Sequence, residues 1–358
     1  MHMTTVSFPG LGIGEFSFSR VAFSPFGMDI YWYGVIIMMG VLAAVLHAYL
    51  RSKYEGVKVD DLLDFTIFIV FFGVCGARLY YVLTKLDQYD SFGDVFAIRD
   101  GGLAIYGGII AGAITIVVVS LIKKLNVFRV LDMVGPGVML AQAIGRWGNF
   151  ANGEAFGYEV AESSPLYFMR MGIVSEYTGR EMLYYHPTFL YESLWNILGF
   201  IIITALYKKK KFNGQNALMY LCWYGFGRMF IEALRTDSLY VGPFRISQLV
   251  GAVCFVVAGG LLLAGLIFKH LGKLDGVMGG LLVAPAAPLK ATVRYENESN
   301  PADADIPTDA ADLDAASENP TDGDIPSEED ASSKISTDEE IPSEGDAASD
   351  ETKESEEN

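Results

Sequence analysis

The sequence predicts an all-α polytopic membrane protein of seven transmembrane helices, with the N-terminus outside, the C-terminus in the cytoplasm and a disordered acidic tail. Three observations carry this expectation. Hydrophobic residues make up 51% of the 358-residue chain and charged ones only 19%, and the apolar residues gather into seven separate runs. Lysine and arginine concentrate in alternate loops between those runs. The net charge of −17 belongs to the last stretch alone: from Glu296 onward lie 23 of the 43 acids and two of the 26 basic residues. The remainder holds 20 acids and 24 bases, so the acidic balance says nothing about the folded part.

Residues 1–29 form an outer segment that lacks the basic, apolar and small-residue order of a signal peptide. An apolar run of about 18 residues or more reads as a membrane span. Such runs fall at Ile30–Leu50, Leu62–Leu83, Gly102–Ile122, Leu131–Ile144, Thr188–Tyr207, Ala217–Leu234 and Ile246–Phe268, the fourth being short and resting on its context. Loops after the odd-numbered runs carry Arg51, Lys53 and Lys58, then Lys123, Lys124 and Arg129, then Lys208 to Lys211, and finally Lys269 and Lys273. Loops after the even-numbered runs are poorer in bases, and Lys85 and Arg99 sit among Asp87, Asp90, Asp94 and Asp100. Cytoplasmic loops carry the excess of Lys and Arg, which sets the orientation. The membrane domain thus covers 30–273, a linker 274–295 and the tail 296–358. The tail has too little apolar surface to offset chain entropy. Its loose Ile-Pro repeat at Ile306-Pro307, Ile325-Pro326 and Ile341-Pro342 fits either a solvated tail or a docking segment.

Cys75, Cys222 and Cys254 all lie in apolar runs at spacings that match no metal or disulfide pattern, and they read as buried, small and inert. The sequence implies no metal or other cofactor. It holds no Gly-rich phosphate loop for a nucleotide, and nothing suggests nucleic acid as a partner.

The chemistry centres on Gly145-Arg146-Trp147-Gly148-Asn149-Phe150-Ala151-Asn152-Gly153-Glu154-Ala155-Phe156-Gly157, which directly follows the fourth run. Ionisable groups at membrane depth are costly and are usually kept for function. The predicted topology gathers further polar residues at the same outer level. Tyr33 and Tyr106 begin the first and third spans, and Arg78, Arg228 and Glu232 come late in the second and sixth. His186 and Glu192 begin the fifth. Each has a structural reading beside the functional one. Arg78 is an arginine that pairs helices, Arg228 and Glu232 form an i,i+4 pair, His186 caps a helix start, and the two tyrosines are interfacial aromatics. Gly101-Gly102, Gly107-Gly108 and Gly112 allow close helix packing. A cluster of arginines near the outer leaflet fits the planar, bidentate capture of phosphate oxygens on an anionic lipid headgroup.

The signature resembles that of the prolipoprotein diacylglyceryl transferases of bacterial membranes. The resemblance extends through Trp32-Tyr33-Gly34, Asp100-Gly-Gly-Leu-Ala-Ile-Tyr-Gly-Gly108, His186-Pro-Thr-Phe-Leu-Tyr-Glu192 and Tyr224-Gly-Phe-Gly-Arg228, and spans about Val21 to Lys273. It implies a seven-helix enzyme of the bacterial plasma membrane. Such an enzyme moves a diacylglyceryl group from phosphatidylglycerol to the lipobox cysteine of a prolipoprotein and releases glycerol phosphate. Carried over, Arg146 and Arg228 bind the lipid phosphate, Asn149, Asn152 and Glu154 shape the headgroup site, and Tyr33 and Tyr224 line it; Arg78 is added to the binding set by its place at the same outer level. Where some members have a histidine proposed as the base, this chain has Tyr106. The base therefore stays open among Tyr106, His186, Glu154 and water. A transporter of an anionic solute, or a lipid-binding protein, would use the same arginines, but a transporter would more often show an internal repeat.

Overall fold

A computed structural model describes residues 3–86, 93–96, 101–178 and 181–272. The predicted linker and acidic tail, and Asp100 of the third motif, lie outside the described residues.

Seven long helices form the body of the protein: α1 (Trp32–Glu55), α2 (Val59–Thr84), α3 (Ile105–Ile122), α4 (Val127–Asn152), α5 (Thr188–Leu206), α6 (Gln215–Ile231) and α7 (Ile246–His270). Among the described residues, six of them are long and apolar enough to cross a membrane, and α6 with 17 residues is the exception. Helix α4 is the centre, packing on α1, α3, α5 and α6.

The chain is not wholly helical. A four-stranded sheet in the order β2-β1-β5-β6 joins the N-terminal hairpin, β1 (Met3–Phe8) and β2 (Ile13–Ser19), to β5 (Met171–Val174) and β6 (Leu183–Tyr185) from the long loop after α4. Alternation makes this possible: in Glu15-Phe16-Ser17-Phe18-Ser19 every second residue is apolar, the period of a strand. Val6, Phe8, Met171, Ile173 and Phe189 bury one face of the sheet against the start of α5. Two short ribbons, β3 (Val21–Phe23) with β4 (Ile30–Tyr31) and β7 (Tyr240–Val241) with β8 (Phe244–Arg245), lead into α1 and α7.

The fourth apolar run understates its helix by twelve residues. Asn126 caps the start of α4, accepting from the backbone N–H groups of Phe128 and Arg129 at 3.0 and 3.3 Å. The helix then continues through Arg146 and Asn149 to Asn152, ending at Gly153 in the left-handed region (φ 67°). Polar residues interrupt the hydropathy of α4 without interrupting its backbone bonds, so the signature is mostly helix.

Close approach decides the packing of α2 on α3, where a Cβ on Gly107 would collide with the Gly76 carbonyl. Gly101 and Gly102, by contrast, sit in the loop before α3 with φ of 89° and 75°, so they shape that loop and do not pack helices. Helices α5 and α6 are locked by stacked Trp195 and Trp223, with ring centroids 4.4 Å apart. Each indole N–H donates to the other residue's carbonyl, at 3.0 and 2.9 Å. Cys75 is exposed and the other two cysteines are half-buried, which corrects the expectation that all three are buried. The apolar face of a membrane helix points as readily to lipid as to its neighbours.

At the end of the bundle away from the signature, Lys210 Nζ binds both Glu55 oxygens at 2.7 Å and Asp132 Oδ2 at 2.9 Å. Tyr207 OH donates to Glu55 at 2.7 Å, while the Gly214 and Ala217 amides donate to Asp132. This network ties α1, α4 and the α5–α6 connection together. Lys210→Met leaves two buried carboxylates facing each other. It is expected to destabilise the protein by about 3–5 kcal/mol, read as a lower midpoint of thermal unfolding in detergent.

Candidate active site

Three segments distant in sequence are stitched together at one end of the bundle. The loop after α4 makes a backbone bridge to the residues before α5, with Gly157 N–H donating to His186 O at 2.9 Å and His186 N–H to Tyr158 O at 3.0 Å. On its other side Tyr158 N–H donates to Leu234 O at 2.8 Å, just beyond α6. A side chain at Gly157 would press on His186 Cβ and Leu234 O, each 2.7 Å from an added Cβ. The last glycine of the signature is what lets these three strands of chain meet.

Within this frame Glu192 on α5 is the hub. Its Oε1 accepts from Arg146 Nη2 at 2.6 Å and its Oε2 from Arg228 Nη1 at 2.7 Å. Arg228 Nη2 also pairs with Glu232 at 2.7 Å. The i,i+4 pair read from the sequence is thus present, and the same arginine also reaches across to α5. Glu192 is 2% exposed, so its charge depends on the two guanidiniums that hold it. The signature adds a polar rim: Arg146 Nη1 donates to Asn149 Oδ1 at 3.4 Å, and the Asn149 and Asn152 amides both donate to Glu154 Oε1 at 3.2 Å.

The tyrosines flank this core. Tyr33 lies over Gly148, whose added Cβ would be 3.1 Å from the ring, and it stands within electrostatic range of Glu154 and Arg146. Tyr224, one turn before Arg228, feels Glu192, Arg228 and Arg146. Tyr106 OH hydrogen-bonds Ser247 Oγ at 2.9 Å, joining α3 to α7, and lies within range of Arg228.

Two candidates make other contacts. Arg78 donates to the carbonyls of Val95, Gly101 and Gly102 at 2.8, 2.7 and 3.0 Å, which orders the loop before α3. His186 Nδ1 is 3.2 Å from Tyr191 OH, and burial pushes its imidazole below the usual value, so it is neutral at neutral pH.

In the sequence Glu192 stands only as a carboxylate at the depth of the arginines, with no sign that it joins two of them, and Arg235 and Arg245 lie outside the motifs. Arg235 holds Asp237 with two bonds of 2.9 and 2.7 Å. Arg245 donates to the Glu232 and Arg235 carbonyls and to Tyr158 OH.

Ile36, Met39, Leu140, Ala143 and Ile197 line an apolar cleft of about 240 Å³ between α1, α4 and α5, together with Trp147 and Ser193, the chain neighbours of Arg146 and Glu192. A charged clamp next to an apolar cleft is an arrangement for an amphiphile.

Residues 20–264 match the family described as prolipoprotein diacylglyceryl transferase. The chain belongs to that family. The phosphatidylglycerol–prolipoprotein diacylglyceryl transferase of Finegoldia magna is 44% identical over 245 residues, covering 68% of this chain and 94% of the relative. The enzyme of the same name from Clostridium kluyveri is 44% identical over 246 residues (66% and 93%), and that from Enterococcus faecalis 42% over 244 (67% and 88%). The family match contains every residue of the arginine–carboxylate core and ends before the acidic tail.

Proposed function

We propose that this chain transfers the diacylglyceryl group of phosphatidylglycerol to the lipobox cysteine thiol of prolipoproteins in the bacterial plasma membrane. The observation that carries the reading is the pair of arginines bridged by Glu192 beside an apolar cleft, in a chain of this family. The thiol sulfur attacks the glycerol carbon that bears the phosphate. A C–S bond forms, the C–O bond to phosphate breaks, and glycerol phosphate leaves with the bonding pair. Charge grows on the departing phosphate, so preorganised guanidiniums stabilise the transition state more than the ground state. The thiol proton passes to Glu154, His186 or water, and a thiol with a pKa near 8.5 needs little help.

In this reading all seven helices span the bilayer. Together with its following turn at Glu232–Leu234, α6 covers 20 residues, about 30 Å at 1.5 Å per residue. The Lys- and Arg-rich loops lie in the cytoplasm, so the arginine core faces the outer leaflet, where a newly exported precursor arrives. The test is incubation of purified protein with labelled phosphatidylglycerol and a lipobox peptide. Thioether formation with equimolar glycerol phosphate supports the reading. Binding or uptake of lipid without glycerol phosphate release points instead to a binding protein or a transporter.

Tyr106 acts in this scheme by positioning, because its hydroxyl is engaged with Ser247 at 2.9 Å. Tyr106→Phe should slow transfer several-fold, as for the loss of one hydrogen bond of about 1 kcal/mol, with an unaltered pH–rate profile. Loss of a basic limb in that profile would make Tyr106 the base.

Residues 296–358 are dispensable for the chemistry by their composition. Truncation after Tyr295 should leave transfer within about twofold, as expected for removal of a charged terminal segment, when assayed at equal amounts of inserted protein.

A further inference from the structure

A second polar layer lies one helical turn deeper in the bundle than the arginine clamp. Residues four apart share a helix face. Gln142 stands four before Arg146 on α4, Asn196 four after Glu192 on α5, and Tyr224 four before Arg228 on α6. Helices α4 and α6 run toward the clamp and α5 runs away from it, so all three steps lead in the same direction. Two contacts fix this register. Ser193 Oγ donates to Ala143 O at 2.9 Å, and an added Cβ on Gly199 would sit 2.8 Å from Met139 Sδ. Gln142 and Asn196 fall between those two levels.

Asn196 is fully buried, and among the described residues neither its Oδ1 nor its Nδ2 has a hydrogen-bond partner. Gln142 Oε1 is likewise buried and unpartnered, while its side chain interacts with Tyr220. Unpaired amides are costly anywhere in a protein interior and more so inside a bilayer. Asn196 and the Gln142 carbonyl oxygen, on the helix faces that carry the clamp, point to a ligand that supplies neutral polar atoms at that depth.

We infer that Asn196, with Gln142 beside it, forms a subsite for the ester carbonyls of the diacylglyceryl group. This rests on the transferase reading above and adds to it a determinant of lipid specificity. In a diacyl phospholipid the ester carbonyls lie a few bonds below the phosphate and above the acyl chains, roughly one helical turn (about 5.4 Å) deeper. With the phosphate at Arg146 and Arg228, the unpartnered Asn196 Nδ2 donates in this scheme to an ester carbonyl one turn deeper. A neutral amide suits a neutral acceptor, and the anionic charge is met by the layer above. Asn196 touches no reacting atom in this scheme; it fixes the depth and roll of the glycerol backbone and so the angle of attack at the carbon next to the phosphate.

The experiment compares diacyl phosphatidylglycerol with a diether analogue of equal chain length, in which each ester carbonyl is replaced by a methylene. Purified full-length protein, mixed micelles and a lipobox peptide are used throughout. The parent protein should use the diether lipid with a kcat/KM about tenfold lower or worse, as for one or two lost hydrogen bonds. Asn196→Leu should lose about tenfold on the diacyl lipid and little on the diether, bringing the ratio close to one. Gln142→Leu, on a different helix, should narrow the ratio in the same direction and keeps the test open if Asn196→Leu fails to insert. A purely structural defect would lower both lipids together and leave the ratio as in the parent. Equal use of both lipids by the parent, or a parental ratio in both variants, overturns the subsite. If the parent transfers neither lipid, the transferase reading fails. Binding of the two lipids without peptide then tests the subsite by itself, a preference for the ester supporting it and equal affinity refuting it.

Discussion

Arg146→Ala is expected to abolish diacylglyceryl transfer, and Arg146→Lys to lower kcat by roughly a hundredfold or more, the scale for removing a preorganised donor from a developing anion. The reason is geometric. The guanidinium is planar and forked, with Nη2 fixed on Glu192 at 2.6 Å and Nη1 turned toward Asn149 at 3.4 Å. One edge of the fork is held by protein, and the remaining N–H groups are directed by that hold. A lysine ammonium is a point charge on a flexible stem. It can pair with Glu192 or with a phosphate, but it cannot present a fixed second edge to the phosphate while held by the first. The loss should therefore appear mainly in kcat, since ground-state attraction of an anionic headgroup survives in the charge of lysine. Initial rates of glycerol phosphate release at saturating lipid, normalised to inserted protein, measure it. A lysine variant within tenfold of the parent would show that charge alone suffices and that the fork is incidental.

Much of this architecture is written in the sequence, because apolar length and periodicity follow directly from the demand that a spanning backbone bond only to itself. The runs at Thr188–Tyr207 and Ile246–Phe268 differ from α5 and α7 by one or two residues at their ends. What hydropathy cannot see is helix that is polar. Arg146 to Asn152 continues α4 because its backbone bonds and its Gly153 cap are independent of side-chain polarity. The sheet was hidden for a different reason. β1 finds its second partner in β5, about 165 residues away, and such long-range pairing leaves no local mark beyond the alternation of Phe and Ser in β2. At the site, the types Arg, Asn and Glu are legible as residues too costly to place in a membrane idly. Their connectivity is not. That Arg78 serves a loop, while Glu192 joins two arginines from different helices, depends on side-chain directions that only the packed bundle sets.

Glu192 carries the second large effect, and it separates a group that organises the site from one that performs the reaction. Glu192→Gln keeps the shape but removes the charge that two guanidiniums share. Arg228 retains Glu232 at 2.7 Å, whereas Arg146 loses the carboxylate that holds it. Breaking a buried ion pair by neutralising one partner costs about 3–5 kcal/mol; glutamine keeps one acceptor, which places this variant at the lower end. Arg146 should then swing from its fixed position, so transfer should fall roughly a hundredfold together with a lower unfolding midpoint. If Glu192 acts through Arg146, the two substitutions share one interaction and cannot add. In the double variant Arg146→Ala/Glu192→Gln the stability loss should fall short of the sum of the singles by about 1–3 kcal/mol, the range for residues in direct contact. Activity in the double variant should be no worse than in Arg146→Ala alone. Additive losses of stability across the cycle, measured by thermal unfolding in one detergent, would show that the 2.6 Å contact holds nothing in place.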